Sequence, residues 1–154
     1  MKTVPTIAVA LWLGAMAFFA FCVAPAAFAT LGRATAGQFV GAIFPRYYLA
    51  GTALGALALA GCAGRSMRGG WRRGEWLPLG LVLLMLAANV YGWLGVLPAA
   101  HAAREAMHQA GTAGAVGSPE AMRFARLHGL ASLLNGAAML IGVVFLVVEG
   151  VRRR

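Results

Sequence analysis

Four stretches of the chain run almost without a polar residue, at roughly 6–29, 39–63, 76–98 and 127–149, each enough for the ~20-residue helix that crosses a hydrocarbon core. None alternates with the period of two of a barrel strand. Lipid offers the backbone no hydrogen-bond partners, so the spans must be helices. The expected fold is all-α: an integral membrane four-helix bundle, with residues 1–154 forming a single transmembrane domain. The first two links are roughly ten and roughly a dozen residues long, which makes successive helices antiparallel neighbours. The fourth helix begins before its apolar run. Ser118, Pro119 and Glu120 supply a capping hydroxyl, a proline at the first helical position and an acid in the first turn. This helix is therefore expected over roughly 119–149, preceded by a helical extension from His101 and a Gly-rich turn.

The halves of the chain echo each other. VAPAAFA at 23–29 and VLPAAHA at 96–102 share Val, Pro and three alanines in register, and FPRYY at 44–48 parallels FARLH at 124–128. A duplication would relate the halves by an axis along the membrane normal. Small residues mark close helix approach in lipid: Gly51 with Gly55, Ala10 with Gly14, and Ser132 with Gly136.

Composition agrees with the pattern, at 61% apolar and 11% charged residues. A net charge of +9 would suggest nucleic acid in a soluble protein, but the cations are grouped by membrane side. Lys2, Arg65, Arg68, Arg72, Arg73 and Arg152 to Arg154 fall on one side. Arg33, Arg104, Arg123 and Arg126 fall on the other, partly offset by Glu105 and Glu120. The first side is expected to be cytoplasmic, with both termini there, Trp71 and Trp76 at its interface, and no nucleic-acid partner. The N-terminal run ending in AFA at 27–29 imitates a secretory signal, but it exceeds the usual core of roughly 7–15 residues and is read as a retained span. Cys22 and Cys62 are expected at different depths, too far apart for a disulfide, and serve as packing residues.

Polar residues inside the spans are few, so each one calls for a partner. They are Arg46, Tyr47, Tyr48, Asn89, Tyr91, His128, Ser132 and Asn135. His128, Ser132, Asn135, Met139 and Gly142 follow one helical stripe, expected to face the bundle. Arg46 falls near the depth of His128. Pro25 and Pro98 each leave a carbonyl one turn back without its amide partner. Two readings of Arg46 stand together: a network with Tyr47, Tyr48, His128 and Asn135 roofed by Pro25 and Pro98, or a snorkelling cation reaching lipid phosphates. Asn89 and Asn135 are expected to bond between helices.

Chemistry beyond this cluster is sparse. His101, Glu105 and His108 share a helical spacing, and with His128 they are the candidate metal ligands, although Arg104 beside them opposes a cation. A bis-histidine haem lacks a second intramembrane histidine. Neither a nucleophile with its base nor a phosphate loop is apparent, so no catalytic residue is assigned and no cofactor is specified.

ALWLGAMAFFAFCVAPAAF, FPRYY, YGWLGVLPAAHA and RLHGLASLLNG together resemble the transmembrane protein 205-like family, whose bacterial members are catalogued as domain of unknown function 4149. The resemblance covers nearly the whole chain. It implies a four-helix integral membrane protein of the bacterial inner membrane and supplies no activity. The functional expectation is an outer polar cluster, Arg46, Tyr47, Tyr48, His128 and Asn135, that binds a small anionic or metal-containing solute or a lipid headgroup. The alternatives are a haem- or copper-binding redox module and a structural subunit of a membrane complex, with the bilayer, a second copy or another membrane protein as partner.

Overall fold

The computed structural model describes residues 3–69, 73–111 and 117–152, which are helical throughout apart from short turns. Lys2, Trp71, Arg72, Arg153, Arg154 and most of the Gly-rich turn before Ser118 lie outside the described residues. Helix α1 (Val4–Phe18) continues through a π-helical turn, Phe19–Val23, into α2 (Ala24–Thr30). Helix α3 runs unbroken over Arg33–Gly69. A 3-10 turn, Arg73–Glu75, leads into α4 (Trp76–Tyr91), which passes through a second π turn, Gly92–Val96, into α5 (Leu97–Gln109). Helix α6 spans Pro119–Val151, and the Ser118 hydroxyl caps it by accepting from the Ala121 amide at 3.2 Å.

Four segments are long and apolar enough to cross a membrane: Val4–Thr30, Arg33–Met67, Trp76–Gln109 and Pro119–Val151. The second is longer than its apolar run. Only Leu31 and Gly32 separate it from the first, where hydropathy alone suggests a link of roughly ten residues. The difference arises because helical hydrogen bonding does not stop where lipid does: polar turns around Arg33 and Gln38 carry α3 out of the apolar region, starting with the Ala36 amide on the Gly32 carbonyl.

Each π turn is traceable to a proline. Pro25 and Pro98 crowd the carbonyls four residues back, those of Phe21 and Leu94, and each of these is the middle residue of a π turn. Widening the turn by one residue relieves that crowding. The two π turns stand in the same register to their prolines, so the first and third spans share one irregularity while the second and fourth run continuously.

Every spanning segment packs on two others: α1 on α3 and α6, and α4 on α3 and α6. The main core joins Val9, Trp12, Met16, Ala58, Val82, Met85 and Phe145. A smaller cluster of Ala27, Ala36 and Val40 joins α2 to α3. Glycines decide how closely the helices approach. A Cβ on Gly51 would stand 2.7 Å from both Trp12 Nε1 and Asn89 Oδ1, and one on Gly55 would stand 2.9 Å from the same indole. A Cβ on Gly14 or Gly136, read from the sequence as packing positions, would meet no atom of the described residues within 4 Å beyond its own helix backbone.

Candidate functional site

The FPRYY stretch lies against both π turns. Phe19, which opens the first, packs on Phe44 and Tyr47 with ring centroids 5.4 and 5.1 Å away. Gly92, which opens the second, leaves room for the Tyr48 ring and hydroxyl, which a Cβ there would approach to 3.0 Å. Tyr47 and Tyr48 meet edge to face at 5.4 Å. The backbone irregularities thus admit the tyrosines to the bundle.

Two hydrogen-bonded links hold this region across helices. The Tyr47 hydroxyl donates to Asn135 Oδ1, joining α3 to α6. The Asn89 amide donates to the Tyr48 carbonyl and to the Thr52 hydroxyl, both at 3.0 Å, joining α4 to α3. Asn89 is 7% exposed, and an amide at that depth in lipid requires such partners.

The expected cluster is only partly assembled. Tyr47, Tyr48, Asn89 and Asn135 converge, whereas Arg46 and His128 are exposed. The Arg46 guanidinium donates to the Ala42 carbonyl at 3.2 Å, one turn nearer the start of its own helix, the geometry of a snorkelling side chain rather than of a bundle network. His128 stacks on Phe124 with centroids 6.0 Å apart, and Ser132 bonds back to the His128 carbonyl at 3.0 Å. The stripe on α6 therefore divides, with His128 and Ser132 outward and Asn135, Met139 and Gly142 inward. Pro25 and Pro98 are exposed and roof nothing. His101, Glu105 and His108 are exposed on α5, and among the described residues no three His, Cys, Asp or Glu side chains come together.

Arg104 has another role. It reaches across to α3 and donates to the Gly37 and Ala34 carbonyls at 2.8 and 3.2 Å. Gly37 permits this, since its Cβ would lie 3.2 Å from the guanidinium.

At the opposite end stands a cluster the sequence reading missed. Arg65 donates to Glu75 at 2.8 Å and, through both terminal nitrogens, to the two Glu149 oxygens at 2.8 and 3.0 Å. Arg152 completes the ring, reaching Glu75 at 2.5 Å and Glu149 at 3.3 Å. Glu149 is 2% exposed. The signal was present: the chain has four acids in all, and one of them closes an apolar run, where an unpaired carboxylate is costly.

Burial alone raises the Glu75 carboxyl pKa. The hydrogen bonds from Arg65 and Arg152, together with their charges, outweigh burial and hold it below the usual glutamate value. The sign follows: stability from Glu75 is complete above its unfolded-state value of about 4.3 and is lost as pH falls through the lower folded value. Comparing thermal unfolding of the wild type and Glu75→Gln in detergent should show a constant gap from neutral pH to about pH 5, closing below about pH 4. A gap independent of pH down to about 3 would contradict this assignment.

A second feature lies at the start of α6. Pro119, Met122, Arg123, Arg126 and Leu127 line an open depression of about 450 Å³.

Among known proteins, a family model described as Domain of unknown function (DUF4149) matches residues 7–109. Neither a curated protein nor a solved structure matches the chain.

Proposed function

We propose, from the premise that the chain belongs to the DUF4149 family, that it is a multi-pass protein of the bacterial inner membrane whose arginine-bearing outer end holds an anionic lipid headgroup or a small anion. In this reading the spans form an antiparallel bundle with both termini cytoplasmic. The grouping of Lys2, Arg65, Arg68, Arg72, Arg73 and the C-terminal arginines on one side supports that orientation. The likeness to the transmembrane protein 205-like family belongs to the same reading.

The observation that carries the binding role is the depression between Arg123 and Arg126. Two guanidinium groups with planar, bidentate donor geometry suit phosphate or carboxylate oxygens, and Met122 and Leu127 offer apolar cover to the neighbouring part of a lipid. Arg46, turned back toward the start of α3, adds a further cation in the outer half. The centre of the bundle has a gap of only about 10 Å³, which favours a site on the surface over an internal one.

The alternatives find less support. His128, the intramembrane histidine on which a haem or copper reading depends, is exposed and stacked on Phe124. The Gly51 and Gly55 face, which a partner helix would use, is covered by Trp12 of the same chain.

The test is native mass spectrometry of the detergent-purified protein with added phosphatidylglycerol or phosphatidylcholine. The wild type is expected to retain the anionic lipid several-fold better, and an Arg123→Gln, Arg126→Gln double variant to lose that preference with its melting temperature unchanged. Equal retention of both lipids by the wild type, or an unaltered preference in the double variant, would overturn the proposal.

A further inference from the structure

The two halves of the chain repeat one another's buried positions. The buried residues of α4 are Pro78, Val82, Met85 and Asn89, and each stands at one constant spacing from a buried residue of α1: Pro5, Val9, Trp12 and Met16. Phe19 and Gly92, which open the two π turns, keep that spacing, as do Pro25 and Pro98. The buried residues of α6 are Ala138, Gly142, Phe145 and Glu149. They stand at a second constant spacing from Gly51, Gly55, Ala58 and Cys62 of α3, all of them buried.

Helical periodicity by itself repeats a buried stripe every few residues, so the contacts decide the register. A Cβ on Gly55 would stand 2.9 Å from both Trp12 and Leu86, and one on Gly142 would stand 3.1 Å from Met85 and 3.5 Å from Leu13. Trp12 is the counterpart of Met85, and Leu13 of Leu86, so each glycine meets the same two positions with the halves exchanged. The helix packing is exchanged in the same way, with α1 on α3 and α6, and α4 on α6 and α3. This register lies about two helical turns from the one that FPRYY and FARLH suggest.

The charge cluster follows the exchange in its arginines and departs from it in its acids. Arg65 and Arg152 are counterparts, and each reaches both Glu75 and Glu149. Glu149 stands opposite Cys62, and along the sequence Glu75 stands opposite Lys2. Every acid of the chain occurs at or after Glu75, so the first half has none. Two first halves packed together would bury Arg65 twice without a carboxylate, a costly arrangement that unlike halves avoid.

We propose that the chain is two copies of one two-span unit, residues 4–69 and 76–151, packed on each other about an internal two-fold axis that runs along the spans through the ion cluster. Each half is the other's binding partner, and a carboxylate supplied from either side of the axis serves the two arginines alike. The inference is independent of the headgroup reading, which rests on Arg123 and Arg126 near the other end of α6.

The experiment moves the acid across the axis and reads thermal unfolding of the full chain in detergent under reducing conditions. Glu149→Cys removes the carboxylate. Cys62→Glu supplies one at the counterpart position, three residues before Arg65 as Glu149 is three before Arg152. Each single variant is expected to melt well below the wild type. The double exchange, Cys62→Glu with Glu149→Cys, is expected to recover most of the loss, because the carboxylate again faces one arginine across the axis and one on its own helix. Ser66→Glu with Glu149→Cys is the control: Ser66 is as buried as Cys62 and donates to its carbonyl, but it is out of register, and no recovery is expected. A double exchange no more stable than Glu149→Cys alone would overturn the proposal. Equal recovery in the Ser66 control, or a Glu149→Cys variant that melts with the wild type, would do the same. If neither single variant accumulates in the membrane, accumulation decides: the double exchange is expected to accumulate, and its loss alongside the single variants would overturn the proposal.

Discussion

Replacing Glu149 by glutamine is expected to lower stability by about 3–5 kcal/mol, the cost typical of breaking a buried ion pair from one side. The size of the effect follows from the geometry. Arg65 addresses both carboxylate oxygens of Glu149 through its terminal nitrogens and uses Nε for Glu75, so removing the charge leaves a mostly buried guanidinium with one anionic partner instead of two. The more exposed Arg152 contributes less to this figure, since solvent screens it. Reversible unfolding in mixed micelles measures the effect. An Arg65→Gln, Glu149→Gln double variant should lose less than the sum of the two single variants, because the second substitution removes the group that the first left unpaired. A loss within about 0.5 kcal/mol for Glu149→Gln would place the cluster among ordinary surface pairs and remove its role as a clasp between α3 and α6.

Gly51→Val should cost about 3 kcal/mol, at the upper end of the usual overpacking range. Even the first added carbon would stand 2.7 Å from Trp12 Nε1 and Asn89 Oδ1. Neither side chain yields easily: Trp12 is buried in the main core, and Asn89 is held to Tyr48 and Thr52. Accommodating the valine therefore breaks packing or the hydrogen bonds, and both losses fall on the α1–α3–α4 junction. Gly14→Ala and Gly136→Ala supply the contrast. With nothing within 4 Å of either position, alanine should be neutral or stabilise by up to about 1 kcal/mol through its better helix propensity. Equal destabilisation at all three positions, read from thermal unfolding in detergent, would mean that Gly14 and Gly136 face a partner.

The two ends of the molecule differ in what holds them. At the end that carries Glu75 and Glu149, two acids and two arginines neutralise one another and tie the end of α6 to the α3–α4 connection. Toward the opposite end, Arg46, Arg123 and Arg126 are exposed, and Arg104 donates to carbonyls of α3. Among the described residues Arg46, Arg123 and Arg126 form no ion pair, and cations of this kind are available to phosphate, which is why the headgroup reading rests there.

The sequence by itself determined the class of the protein. Four apolar runs of spanning length leave helices as the solution for an unbranched backbone in lipid, and Ser118 with Pro119 marks where the last one starts, because both are consequences of local chemistry. The importance of FPRYY and of the two prolines was also legible, since a polar or donor-lacking residue in an apolar run needs compensation wherever it lies. What the sequence could not assign was the compensating partner. Arg46 and Tyr47 are adjacent, yet one faces outward and the other meets Asn135, because neighbouring residues on a helix point about 100° apart and only the positions of the other three spans decide which direction is the interior. The same geometry turned Asn135 inward and His128 outward on what had read as one stripe. Glu149 found Arg65 across 84 positions of chain, a pairing that depends on how far each helix extends beyond its apolar run. Hydropathy does not report that extension, so only the tertiary structure could bring the four charges together.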